Sequence, residues 1–159
     1  MLKNNSSRRL IIGVGNPDRG DDGAGHAVVR ALRDLPLPGV DLKTVCGEAT
    51  KLIEAWSGAD EVVVIDASHS GTEPGARRRF DARAGDLPAA LERASTHGFG
   101  VAEAVALARN LDRLPRHLEI CTIEGENFEF GATLTAAVAV AAQSLAEQLA
   151  DCVRLPVAP

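Results

Sequence analysis

The chain has 159 residues, of which 45% are hydrophobic, 25% charged and 3% aromatic; this is enough for one domain around one aliphatic core and too little for two. A net charge of −5 and a pI near 5.3 argue against a nucleic-acid groove or an anionic membrane surface as the main partner. No apolar run approaches the roughly 18 to 20 residues a membrane span needs, and the opening MLKNNSSRRL lacks the apolar segment of a secretory leader.

In chain order, residues 1–8 read as a flexible tail, and Arg9 to Val14 (RLIIGV) as a first strand running into glycine. From Gly23 to Asp34 the spacing of Ala24, Ala27, Val28, Ala31 and Leu35 predicts a helix, closed by Pro36 and Pro38. Val40 to Val45 is a second strand, and Lys51 to Ser57 a short helix ending at Gly58. Glu61 to Ala67 (EVVVIDA) has four consecutive β-branched residues, the signature of a parallel strand covered on both faces, in the middle of its sheet. SHSGTEPGA follows as a mobile turn, and the charged RRRFDA, Arg77 to Ala82, suits an edge strand. Val101, Ala104, Val105, Ala108 and Leu111 are spaced as a helix. His117 to Ile123 is the last strand, Gly125 to Gly131 a loop, and Thr135 to Asp151 a final helix with Val138, Ala142, Leu145 and Leu149 inward. Strands alternating with helices imply an α/β fold: a single-domain three-layer sandwich over residues 9–152, with a twisted, mostly parallel central sheet flanked by helices on both faces and a tail at 153–159.

The first loop, IIGVGNPDRGDDGAG, invites a phosphate reading that its chemistry refuses. A dinucleotide fingerprint needs a third glycine where Asp18 stands, and a P-loop needs Lys and Ser/Thr where Asp21 and Asp22 precede the helix. Carboxylates at that mouth favour a cation, although one of the pair also suits a helix N-cap. Open α/β sheets bind ligands beyond the C-terminal ends of their strands, and Asp66 ends the central strand, where an unpartnered carboxylate is costly. It is either a cation ligand or a hydrogen-bonded cap of the turn. Of the histidines, His97 in STHGFG sits in a small-residue loop before a helix; His26 and His69 are substitutes, and His117 begins a strand and is exposed. Two carboxylates and an imidazole suit a borderline divalent ion such as nickel or zinc. HExxH and GxSxG are both absent. Cys46, Cys121 and Cys152 form no CxxC and read as reduced thiols of a cytoplasmic protein, each a small buried hydrophobe.

GVGNPDRGDDGAG, VVVIDA with SHSGTEPG, STHGFGVAEAVALARNL and LPRHLEICTIEGENFEFGATLTAAV, taken in order from about Leu10 to Leu149, resemble the hydrogenase maturation proteases of the M52 peptidase type. The resemblance implies an endopeptidase that removes a C-terminal extension from the large-subunit precursor of a [NiFe] hydrogenase after nickel insertion. By the same resemblance the nickel supplied by that precursor is used for recognition, another divalent metal can substitute in vitro, and the chain need hold no metal of its own. The family's metal-contacting and catalytic positions fall on Asp22, Asp66 and His97; Asp21 reads either as a residue that supports them or, if the nickel only docks the enzyme, as the carboxylate that activates the cleaved bond. One departure stands out: Cys46 occupies a place where the family often has an acid, with Glu48 nearby as a replacement charge or a plain exposed acid.

Two other readings compete. A non-catalytic, nickel-dependent binding module or assembly chaperone for the same precursor would use the same triad. IIGVGNP also resembles the opening of peptidyl-tRNA hydrolases, but their TRHN-like stretch is replaced by DDGAGH and the acidic balance disfavours tRNA. The expected partner is therefore a hydrogenase large-subunit precursor, with neither nucleic acid nor membrane insertion.

Overall fold

Glu61–Ser68 forms the middle strand, β3, of a five-stranded sheet. The computed structural model describes residues 7–85, 87–88, 91 and 100–154. Around β3 the order is β2 (Val40–Val45), β1 (Arg9–Val14), β3, β5 (His117–Glu124) and β4 (Arg77–Asp81). All pairs are parallel except β4 with β5, so the charged RRRFD segment lies at an edge, as its sequence suggests. Among the described residues, four α-helices cover the sheet: α1 (Ala24–Arg33), α2 (Ala49–Trp56), α3 (Val101–Asn110) and α4 (Ala136–Arg154).

The alternation of side chains along each strand divides the core in two. Leu10, Ile12, Val14, Val62, Val64, Leu118 and Ile120 face α2 and α3, while Ile11, Ile65, Cys121 and Ile123 face α1 and α4. Each fully buried Val, Ile or Leu contributes about 1.5–3 kcal/mol, so both layers are required. Trp56 is buried at the end of α2, where its indole Nε1–H donates to Arg113 O at 3.1 Å. Val138, Ala142, Leu145 and Leu149 form the buried stripe of α4 as their spacing indicates.

Several expectations shift. The buried stripe of α1 runs through Gly25, Val28, Val29 and Leu32, while Ala27, Ala31 and Leu35 are only partly covered. Leu111 lies just past the end of α3 and is 53% exposed. Cys46 and Cys152 are exposed, and only Cys121 is a buried thiol, pushed up to about 12 by burial and the neighbouring Glu119. Ser7 and Arg8, read as tail, bond to the start of β3: Ser7 Oγ donates to Glu61 Oε1, and the Asp60 and Glu61 amides donate to Arg8 O. Helix α4 continues through Arg154. Among the described residues no helix is long and apolar enough to cross a membrane.

The order β2-β1-β3 means that the chain leaves β1 toward one edge and resumes at β3 on its other side. The crevice beyond the C-terminal ends of β1 and β3 is therefore the topological switch point, the place where open α/β sheets bind ligands.

Candidate metal and catalytic site

Two glycines bring the first loop down onto that crevice. A side chain on Gly13 would overlap Gly25 O, and one on Gly25 would overlap Ile65 O, so the first turn of α1 lies directly on β1 and β3. Gly15 adopts φ 128° with its Cα against Asp22 O, a conformation and a clearance that favour glycine. Between them Gly20–Gly23 forms a 3-10 turn. The expectation that an aspartate caps a helix beginning at Gly23 is not met: neither Asp21 nor Asp22 makes a side-chain cap, and both lie within the turn.

The two adjacent acids point to different tasks. Asp21 is fully buried and accepts from the amides of Glu126 (2.8 Å), Asn127 (3.0 Å) and Thr135 (2.7 Å) and from Thr135 Oγ1. Burial alone would raise its pKa, but these donors to the charged form outweigh it and hold the carboxyl below its ordinary value. Every lone-pair direction of Asp21 is thus spent on the 126–135 loop. Asp22, 6% exposed, accepts one bond at Oδ2 from the Asn16 amide at 2.9 Å.

Asp66 lies within β3, followed by Ala67 and Ser68, rather than at the strand's last residue. It sits one position beyond the Gly13–Ile65 pair and shares the face of Val62 and Val64, toward the α2 and α3 layer. Its Oδ1 accepts the Ala67 amide at 2.8 Å. Protein encloses the carboxyl on most sides while part of the residue remains exposed. Its pKa is pushed up to about 7, first by burial and then by the negative charge of Asp22, with the Ala67 amide opposing. No described residue donates to Asp22 Oδ1 or Asp66 Oδ2, and no described side-chain polar atom is both buried and unsatisfied. Among the described residues each carboxylate thus has one oxygen without a donor. Two such groups repelling each other in one crevice fit a divalent cation, which would relieve both charges.

His97 lies outside the described residues. Helix α3, however, begins at Val101 with Gly100 before it, on the sheet face that Asp66 shares. Among the described residues no three His, Cys, Asp or Glu groups form a metal-sized cluster; the structure brings together Asp22 and Asp66. The other histidines have neighbours of their own. His26 Nε2 lies 3.4 Å from Val45 O, His69 packs edge-on to Phe128 with ring centroids 5.2 Å apart, and His117 is exposed at the opposite end of the sheet. Cys46 Sγ lies 3.6 Å from Lys51 Nζ, which also pairs with the exposed Glu48.

Glu124 escaped the sequence reading. It ends β5, is 2% exposed, and accepts from Ser68 Oγ (2.7 Å), Ser70 N (2.6 Å), Ser70 Oγ (2.9 Å) and Gly71 N (2.9 Å). Its own backbone bonds Gly75 and Ala76. Burial works against the charged form, but the Ser68, Ser70 and Gly71 donors prevail and lower its pKa. The 68–76 segment is consequently pinned, contrary to the mobile turn expected. Its signal was slight: like Asp66, Glu124 is an acid that directly follows an isoleucine near the C-terminal end of a strand.

The fold and the crevice define a doubly wound α/β domain with two acids, Asp22 and Asp66, at its switch point. The chain belongs to the hydrogenase maturation protease family, whose HycI profile matches residues 40–152. It is 30% identical over 130 residues to the hydrogenase expression/formation protein HupD of Thiocapsa roseopersicina, an alignment covering 79% of this chain and 58% of HupD. The chain thus spans less than two thirds of that relative's length. The hydrogenase maturating endopeptidase HybD from E. coli superposes with a TM-score of 0.77 at 25% identity, covering 92% of each chain. The [NiFe] hydrogenase maturation protease HybD from Thermococcus kodakarensis gives 0.70 at 25% identity, over 92% of this chain and 99% of that one.

Proposed function

We propose that this chain is an endopeptidase that removes a C-terminal extension from the large-subunit precursor of a [NiFe] hydrogenase after nickel insertion, with Asp22, Asp66 and His97 contacting the nickel. Family membership supports the reaction class. The observation that carries the site is the pair Asp22 and Asp66 at the switch point, each with one carboxylate oxygen that accepts from no described residue, and close enough for Asp22 to raise the pKa of Asp66. The nickel arrives with the precursor as part of the substrate. Borderline metals accept mixed carboxylate and imidazole ligands, and the free oxygens supply the carboxylate share.

Asp66 adds a second capacity. A carboxyl with a pKa of about 7 exchanges protons near neutrality, the range in which a general acid or base works best. Contact with a metal would favour its ionised form and lower that pKa, so the value near 7 describes the group before the precursor docks. Asp21, whose oxygens are all engaged, takes no part in the chemistry and instead holds the turn.

Intact mass of a nickel-loaded large-subunit precursor, incubated with wild type, Asp66→Ala and His97→Ala, tests the proposal. Loss of one discrete C-terminal peptide with wild type alone is the expected result. Binding of the precursor without any change in mass would replace the peptidase with a recognition module.

A further inference from the structure

The turn that carries Asp22 is welded to the 126–135 loop. Besides the bonds to the Asp21 carboxylate, Asp21 N donates to Asn127 O at 2.8 Å, Gly20 N to Ala132 O at 3.1 Å and Gly131 N to Asp18 O at 2.7 Å. Within the loop the Glu129 amide donates to Asn127 Oδ1 at 2.9 Å. At its start the Phe128 ring meets His69, which itself follows the Glu124-pinned end of β3. Loop, turn and strand end thus form one body around the acidic pair.

On that body Phe130 is 79% exposed. The chain has only four phenylalanines and one tryptophan, and two of these five aromatic rings, Phe128 and Phe130, belong to this loop. Exposed acids lie close to it along the chain: Glu126 and Glu129 belong to the same loop, Glu129 being its immediate neighbour, and Asp18 accepts the Gly131 amide at its backbone carbonyl. A loop already fixed by hydrogen bonds loses little further entropy when its aromatic side chain is covered, which suits an anchor for a partner.

We infer that Phe130, together with the exposed acids Asp18, Glu126 and Glu129 of the same turn and loop, is the docking surface for a segment of the precursor that presents an apolar side chain flanked by basic residues. This rests on the endopeptidase reading and adds to it the place and chemistry of substrate recognition. The hydrogen bonds that tie the loop to the turn put the segment on the same body as Asp22, and the exposed acids favour a basic segment. The acids steer the approach and the phenyl ring supplies the contact.

The test uses the full chain and a nickel-loaded large-subunit precursor, comparing wild type with Phe130→Ala, Phe130→Leu, the double variant Glu126→Gln with Glu129→Gln, and Leu111→Ala as an exposed apolar control. Dissociation constant, KM and kcat are measured at low and high salt, with Tm for each variant. Phe130→Ala is expected to raise Kd and KM ~10-fold with the effect outside kcat, and Phe130→Leu to restore part of it. The double glutamine variant weakens binding at low salt and flattens its salt dependence. Leu111→Ala changes neither.

Wild-type cleavage with unaltered Kd and KM in Phe130→Ala would overturn the docking surface and leave the peptidase standing. Wild-type binding without cleavage, weakened by Phe130→Ala, would do the reverse. A wild type that neither binds nor cleaves removes both.

Discussion

Asp21 and Thr135, 114 positions apart in sequence, are joined at both carboxylate oxygens: Thr135 N donates to Oδ1 at 2.7 Å, and Thr135 Oγ1 lies 3.1 Å from Oδ1 and 3.0 Å from Oδ2. The bond closes the chain's first loop onto the start of its last helix. Asp21→Ala leaves several buried amides without an acceptor, each costing about 1–3 kcal/mol, so a loss of at least about 3 kcal/mol is expected by chemical denaturation. Thr135→Val removes only the hydroxyl bonds and should cost about 1 kcal/mol.

Acid should act first on the two clamps. Asp21 and Glu124 both have folded pKa values below their ordinary ones. Their stabilisation is complete above the unfolded carboxylate range and is lost as pH falls through the lowered folded values, because the unfolded chain takes up protons first. Tm should therefore fall steeply below about pH 4, the ordinary carboxylate range. Glu124→Gln should be less stable at neutral pH and show a flatter acid limb.

The sign reverses at Asp66. With a pKa raised from 3.8 to about 7, the native state holds a proton that the unfolded chain has released, so this group's contribution falls as pH rises through that interval. Asp66→Asn keeps an acceptor for the Ala67 amide and removes the buried charge beside Asp22. It is expected to stabilise the protein by roughly 1–4 kcal/mol at pH 8 and by little at pH 4. Comparison of denaturation curves at the two pH values checks this.

A divalent cation should shift stability through the same pair. Nickel or zinc in excess is expected to raise the Tm of wild type, and to do so less in Asp66→Asn and in Asp22→Asn, since a ligand that binds only the folded state stabilises it by mass action. Equal shifts in all three proteins would place the cation elsewhere.

Gly25→Ala tests the seat of the loop. The added methyl would run into Ile65 O and crowd Val14 N and O, which are backbone atoms of two central strands and unable to yield. A destabilisation of about 3 kcal/mol or more is expected from denaturation, together with loss of any cation-dependent shift in Tm.

Much of this architecture was legible because it depends on local pattern. The four β-branched residues of β3 marked the centre of the sheet, the arginines of β4 its edge, and the spacing of Val138, Ala142, Leu145 and Leu149 the buried side of α4. Leu111 fits the same periodicity yet is exposed, because the helix ends one residue earlier and periodicity does not record where packing stops. Asp22 and Asp66 were nominated by residue type and position, and the fold brought them together. Glu124 was passed over because its strand, HLEICTIE, mixes polar and apolar residues and nothing local marks its last acid as a clamp.

By itself the sequence determined which segments are strands and helices, that the sheet is aliphatic and mostly parallel, and that the first loop carries carboxylates instead of phosphate-binding residues. Those properties follow from side-chain size, branching and charge over a few neighbouring positions. The tertiary structure decided the division of labour among the acids: Asp21 faces the donors of a loop more than a hundred residues away, Glu124 those of the segment after β3, and Asp22 comes near enough to Asp66 for its charge to be felt there. A carboxylate's role depends on which donors and charges surround it in space, and that is settled only when distant parts of the chain pack together.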